Sequence, residues 1–156
     1  MRGQTVTGSA LDDVGKRLVE ELQRDGRKSY AALAKTVGLS EAAVRQRVQR
    51  LIDSGVMQVV AVTDPLQIGF TRQAMVGVRA DGDLVRVAEE LGKIDEVEYV
   101  VITAGSFDLL VELVCEDDDH LLRVLSEQVR VLPGVRETET FVYLKTIKET
   151  YAWGTR

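Results

Sequence analysis

The chain is poor in the residues that build most chemistry-bearing sites. Its 156 residues include one cysteine, Cys115, and one histidine, His120. A single cysteine excludes an internal disulfide framework and fits a reducing compartment. One Cys and one His together exclude the usual Cys/His zinc sites and argue against a Cys–His nucleophilic pair. Proline occurs only twice, against 13 glycines, too few for a fibre. At 45% hydrophobic and 29% charged residues, the chain has an ordinary globular balance, too apolar for disorder. No apolar run approaches the roughly 18 residues of a membrane span. Met1 to Gly8 holds no apolar stretch of signal-peptide length. The expectation is a cytoplasmic protein with no membrane partner.

The net charge of −5 argues against a nucleic-acid partner until it is divided along the chain. Residues 1–64 hold 10 Lys and Arg against 8 Asp and Glu, net +2. Residues 65–156 hold 10 against 17, net −7. Such asymmetry suggests two modules with different partners. The acidic half alone would repel DNA, so DNA contact must concentrate in the first half.

The first half has helical periodicity. Leu11, Val14, Leu18 and Leu22 share a stripe, widened by Val19, with Asp12 and Asp13 where a helix dipole favours acids. Asp25-Gly26 stops this helix. Ser29 caps a second, short helix with Leu33, Ala34 and Val37 inward, ended by Gly38. Ser40 caps a third, carrying Val44, Val48, Leu51 and Ile52 and ended by Gly55. Three short helices with a Gly-containing turn before the third describe a helix-turn-helix. Val56–Val62 is rich in β-branched residues and reads as a strand or wing. Asp64-Pro65 marks a hinge.

The second half predicts strand 73–80, helix 83–94, strand 97–103, strand 107–116, helix 118–132 and strand 135–147. The order βαββαβ is ferredoxin-like, with four antiparallel strands and helices on one face. The fold class is therefore α+β, a winged helix-turn-helix followed by a ferredoxin-like unit. The domain plan is a tail at 1–9, the DNA-binding domain at 10–60, a linker strand or hinge at 61–72, the ferredoxin-like domain at 73–150 and a tail at 151–156. Strand 107–115 is apolar on both parities, with Leu109, Val111, Leu113 and Cys115 against Leu110 and Val114. The last strand repeats this, with Val142 and Leu144 against Phe141, Tyr143 and Ile147. A sheet with helices on one face needs a cover for a second apolar face, most economically another copy of the chain.

On a helical wheel, the outward face of the third helix holds Ala42, Gln46, Gln49, Arg50 and Asp53, with Arg45 and Arg47 flanking the apolar stripe. Short or amide side chains near a helix N-terminus can approach base edges, and arginines further along can reach phosphates. The candidate DNA-contacting residues are Ser40, Ala42, Ala43, Arg45, Gln46, Arg47, Gln49 and Arg50. Gln46 suits adenine, and an alanine suits a thymine methyl. The alternative is a solvated amphipathic helix.

These residues carry a family resemblance. Leu11-Asp12-Asp13, Asp25-Gly26-Arg27, Leu33-Ala34, Val37-Gly38-Leu39-Ser40, Arg47-Val48, Arg50-Leu51 and Gly55-Val56 resemble the helix-turn-helix of the Lrp/AsnC "feast/famine" transcription regulators. Gly105-Ser106-Phe107-Asp108, Pro133-Gly134-Val135 and Thr138-Glu139-Thr140 resemble that family's ligand-binding and assembly domain, called RAM. The ordered set spans about residues 10–150.

The resemblance implies a sequence-specific DNA-binding regulator of amino-acid metabolism genes. It implies a dimer, often a larger assembly, with a small amino-acid effector between neighbouring RAM domains and no other cofactor. It places the effector beside Gly105, Ser106 and Asp108, with Thr138, Thr140, Tyr99 and Thr103 lining the cleft. A glycine turn can offer backbone N–H groups to a carboxylate, and Asp108 can accept from an ammonium. The alternative for Asp108 is a carboxylate that satisfies its own turn. His120, inside the acidic run Asp117-Asp118-Asp119, reads as a solvated first-turn residue rather than a pH sensor. Cys115 reads as a small buried hydrophobe. Trp153 is left open between packing across a subunit boundary and fraying.

Two rival functions remain. An effector-independent architectural DNA-binding protein would share every DNA-facing feature. Sirohaem decarboxylases resemble the family in both domains, so the fold alone does not exclude an enzyme. A second half of net −7 with one histidine is poorly suited to a polyanionic tetrapyrrole, and the expectation is a non-enzyme.

Overall fold

The computed structural model describes residues 11–155. The N-terminal tail expected at 1–9 lies outside the described residues. The chain divides into two units, one reaching to Ala61 and including the tail from Lys148, the other Val62–Ile147.

In the first unit, α1 (Asp13–Arg24), α2 (Tyr30–Val37) and α3 (Glu41–Asp53) each begin at a side-chain cap. Asp12 caps α1 by accepting from the Gly15 N–H at 2.8 Å. Ser29 and Ser40 cap α2 and α3, accepting from Ala32 and Ala43 at 3.2 Å each. Each cap satisfies a backbone donor that a helix start leaves orphaned. Gly38 ends α2 in the left-handed conformation, φ 71°, which turns the chain within three residues into α3. Leu18, Leu22, Leu33, Ala34, Val44 and Val48 close one apolar core. The last residues join this unit: Gly154 exchanges hydrogen bonds with the Gln23 amide, and the Thr155 hydroxyl donates to Glu20 at 2.7 Å. Trp153 is exposed.

The expected wing does not form. After Val56 the chain carries no strand up to a 3-10 turn at Pro65–Gln67, capped by Asp64. Val59, Val60 and Val62 are exposed. A β-branched run becomes a strand only beside a hydrogen-bonding partner, and this one has none among the described residues.

The second unit holds β1 (Arg72–Ala80), α4 (Leu84–Leu91), β2 (Val97–Ile102), β3 (Leu109–Cys115), α5 (Asp118–Arg123) and β4 (Val135–Val142). The strands form one sheet ordered β2-β3-β1-β4, and every neighbour is antiparallel. Pairings Val76↔Val111 and Val78↔Leu109 put the buried parity of β1 and β3 under the helices. The other parity, which includes Gln73, Met75, Gly77, Leu110, Glu112 and Phe141, makes an open face.

Three expected boundaries change. The helix expected at 83–94 ends at Leu91. The helix expected at 118–132 passes at Val124 into a π-helix, Val124–Val129, with Arg130 N–H bonded to the Leu125 carbonyl five residues back. The last strand stops at Val142 rather than running to Ile147: past the Ala74↔Val142 pair the Tyr143 N–H still donates to the Gln73 carbonyl at 2.8 Å, and beyond it Leu144 and Ile147 are exposed. His120 is also corrected. Its Nε2 lies 2.8 Å from Glu96 Oε1, its Nδ1 accepts from the Glu116 N–H, and the side chain is 20% exposed. It fastens the start of α5 to the loop before β2.

Cys115 is fully buried, and burial, with Glu96 and Asp117 adding to it, pushes its thiol up to about 11. The raised value stabilises the fold below the unfolded thiol's range near 8.5 and is lost as pH rises toward 11. Iodoacetamide at pH 8 is therefore expected to label native protein far more slowly than urea-unfolded protein. Equal rates would place the thiol in solvent.

Candidate nucleic-acid interface and ligand cleft

The third helix presents a shallow groove lined by Ala42, Arg45, Gln46, Gln49, Arg50 and Asp53. Core packing of Val44, Val48 and Leu51 turns this face outward. The three arginines are not equivalent. Arg45 pairs with Glu41 at 3.2 Å and lies 4.7 Å above the Tyr30 ring. Arg47 donates to Asp12 at 2.6 Å. Arg50 makes no ion pair or side-chain hydrogen bond among the described residues. Gln46 is exposed and makes no side-chain hydrogen bond among the described residues, while Gln49 donates to Asp53 at 2.8 Å. Ala43 and Arg47 are half-buried on the flank of the helix rather than on its open face. The hydroxyl of Ser40 serves as the α3 cap.

The second candidate site lies at one end of the sheet. The Thr103 hydroxyl donates to the Phe107 carbonyl at 2.5 Å, and the Thr103 N–H donates to the Asp108 carbonyl at 2.9 Å. These bonds close the turn around Gly105 and Ser106. Asp108 Oδ2 accepts from the Ala80 N–H at 2.9 Å, beside the β-bulge of β1 at Arg79/Ala80. Asp108 therefore supports the bulge of β1 rather than its own turn, and Oδ1 is left without a protein partner among the described residues. A Cβ on Gly105 would meet nothing within 4 Å, so its backbone is open to approach.

Thr138 pairs with Val78, whose carbonyl accepts from the Asp108 N–H. Thr103, Asp108 and Thr138 thus lie along one line across the sheet. Thr140 pairs with Val76 further down, and its Oγ1 is buried without a partner. Tyr99 pairs with Glu112, so it shares the open face and lies away from the two threonines, which share the helix side. The structure brings Thr103, Gly105, Ser106 and Asp108 together, places Thr138 level with them, and leaves Thr140 and Tyr99 apart.

Two arginines at this end were missed from sequence. Arg79 donates to the Ser106 carbonyl at 2.9 Å and to Glu137 at 2.6 Å, and lies 4.8 Å above the Phe107 ring. It ties the turn to β4. Arg130 donates to Thr138 Oγ1 at 3.0 Å and lines a cleft of about 230 Å³ with Val135, Arg136, Glu137 and Thr138. The strand parity of Arg79 was readable. Arg130 was not, because the π-helix shifts the register at which it leaves the helix.

Among the described residues, no group of three or more His, Cys, Asp and Glu is placed to hold a metal, and no helix is long and apolar enough to cross a membrane.

A helix-turn-helix with a cationic outward helix, ahead of a four-stranded α+β unit, defines a DNA-binding transcriptional regulator with a ligand-binding domain. The chain belongs to the Lrp/AsnC family: residues 11–52 match its AsnC-type helix-turn-helix domain and residues 73–153 its Lrp/AsnC ligand binding domain. It is 36% identical over 145 residues to a proline dehydrogenase transcriptional activator of Rhizobium radiobacter, covering 90% of this chain and 93% of that one. An uncharacterized HTH-type transcriptional regulator of Pyrococcus abyssi is 33% identical over 144 residues, with 91% of each chain covered. The crystal structure of the leucine response regulatory protein of Mycobacterium tuberculosis superposes with a TM-score of 0.79 at 31% identity, over 89% of this chain and 96% of that one. Family and relatives are transcriptional regulators, not enzymes, which removes the decarboxylase alternative.

Proposed function

We propose that this chain is a sequence-specific regulator of amino-acid metabolism genes, working as a homo-oligomer whose DNA binding responds to an amino-acid-like effector. The observation that carries the effector site is the Gly105–Asp108 turn, where a carboxylate oxygen with no partner among the described residues stands beside an open backbone. Asp108 Oδ1 suits the ligand's ammonium, and the backbone at Gly105 its carboxylate. Thr138 and Arg130 flank the same end of the sheet. The printed names of two relatives, a proline dehydrogenase activator and a leucine response regulator, support an amino-acid signal. Self-association is supported by the apolar open face, where Phe141 and Tyr99 are exposed. On the DNA side, the outward Ala42, Gln46 and Gln49 suit base edges, with Arg45 and Arg50 toward phosphates.

Thermal-shift screening against the 20 amino acids identifies the effector, since a ligand of the folded state raises its apparent stability. For that ligand, Asp108→Ala is expected to weaken binding by about one to two orders of magnitude, the worth of a charge-assisted hydrogen bond. Asp108→Asn retains an acceptor for Ala80 and separates lost charge from lost support. Unchanged ligand affinity in both variants would remove Asp108 from the site. Ligand binding indifferent to operator DNA would favour an architectural protein, because coupling must be reciprocal.

A further inference from the structure

We propose that Arg47 is a positioning residue that latches the recognition helix to the start of α1, and that it does not contact DNA phosphates. The partner of Arg47 is no ordinary surface carboxylate. Asp12 Oδ1 accepts from the Gly15 N–H at 2.8 Å and caps α1, and Asp12 Oδ2 accepts from Arg47 Nη1 at 2.6 Å. The cap fixes this carboxylate in space. The hydrogen bonds from Arg47 and Gly15 hold its pKa below the ordinary value, so the pair persists across the neutral range.

Arg47 flanks the apolar stripe of α3, beside Val44 and Val48, which are 0% and 2% exposed. Its flank of α3 therefore cannot turn outward without unpacking the core. On the side toward α2, α3 is held by that core and by the tight turn at Gly38. The latch holds it on the side toward α1, so two restraints set the rotation of α3 about its own axis. That rotation decides which side chains reach base edges.

Electrostatics point the same way. Moving Arg47 to a phosphate would break a short charge-assisted bond and leave the Asp12 carboxylate unpaired near a polyanion. Kept paired, the two residues carry no net charge and release no counterion on binding. Arg50 is the contrast, exposed and without an ion pair among the described residues.

The test is binding of a mixed-sequence DNA duplex by the full chain across about 50–200 mM salt. The variants are Asp12→Asn, Arg47→Gln, their combination, and Arg50→Ala. Asparagine caps a helix as well as aspartate does, so Asp12→Asn removes the latch and spares α1. Arg50→Ala is expected to make the salt slope shallower by about one. Asp12→Asn and Arg47→Gln are each expected to weaken binding measurably, by up to about fivefold, within the range of partly exposed ion pairs, at an unchanged slope. The double variant is expected to be no weaker than either single one, the signature of one shared interaction. Tighter binding with a steeper slope in Asp12→Asn would overturn the proposal, because releasing Arg47 would then have supplied a phosphate contact. A slope shallower by about one in Arg47→Gln, or unchanged affinity in either single variant, would overturn it as well. If Arg47→Gln does not fold, Asp12→Asn decides alone, since the two readings give it opposite signs.

Discussion

The double variant Arg45→Ala/Arg50→Ala is expected to bind duplex DNA about two orders of magnitude more weakly at about 0.1 M salt, with a salt slope shallower by about two. Each arginine that meets a phosphate releases close to one counterion, so the loss grows as salt falls. Arg50 has no ion pair among the described residues to give up on meeting DNA. Arg45 must leave Glu41, but that pair is 3.2 Å long with side chains 63% and 52% exposed, and exposed pairs contribute little. The Tyr30 ring below Arg45 restricts where its head can go and keeps it near the groove. Filter binding or fluorescence anisotropy over a salt series reads both quantities. A double variant with the parent's slope would place the DNA-binding surface elsewhere in the unit.

Replacing Gly134 is expected to cost the second unit about 2–5 kcal/mol, read as a lower urea midpoint for Gly134→Ala. Gly134 has φ 98°, which L-residues rarely adopt. An added Cβ would lie 2.8 Å from Val87 Cγ2 and 3.2 Å from the Asp81 carbonyl oxygen. Val87 is 2% exposed and cannot step aside, and the Gly134 carbonyl accepts from the Asp81 N–H at 2.8 Å. Strain and overpacking therefore add. Gly105→Ala is the control. Gly105 has no positive φ and open space at its Cβ, so stability should stay within about 0.5 kcal/mol. A comparable loss in both variants would show that glycine content in loops, rather than the Gly134 geometry, sets the effect.

The comparison of these two glycines shows how far the candidate sites were legible in sequence. Both stand in turns between strands or helices, and nothing local separates them. Only packing shows that Gly134 is locked by Val87 and that Gly105 is merely open. The effector candidates divide in the same way. The run Gly105-Ser106-Phe107-Asp108 was visible as a turn into an apolar strand, and it forms one. That Thr138 stands level with it while Thr140 lies further down follows from the β1–β4 register, which pairs residues some 60 positions apart. Arg79 and Arg130 gain their roles from the same register and from the π-helix.

Local physics determined a great deal. Ser29, Ser40 and Asp12 each offer an acceptor to the open N–H groups of a following helix, and Gly38 turns the chain where only glycine is unstrained. These are interactions over two or three residues, written in adjacent letters. Helical periodicity likewise selected Val44, Val48 and Leu51 as the buried stripe of α3, and thereby its outward face. The tertiary structure decided whatever needed a distant partner. Val56–Val62 has strand composition and no strand, because a ladder requires a neighbour. The β4 strand ends near Val142 because its pairing with β1 runs out past the bond from the Tyr143 N–H to the Gln73 carbonyl. Arg45, Arg47 and Arg50 look alike in sequence. One lies over Tyr30, one is tied to Asp12 and one has no ion pair among the described residues, because electrostatic partners are chosen by proximity in space and not by spacing along the chain.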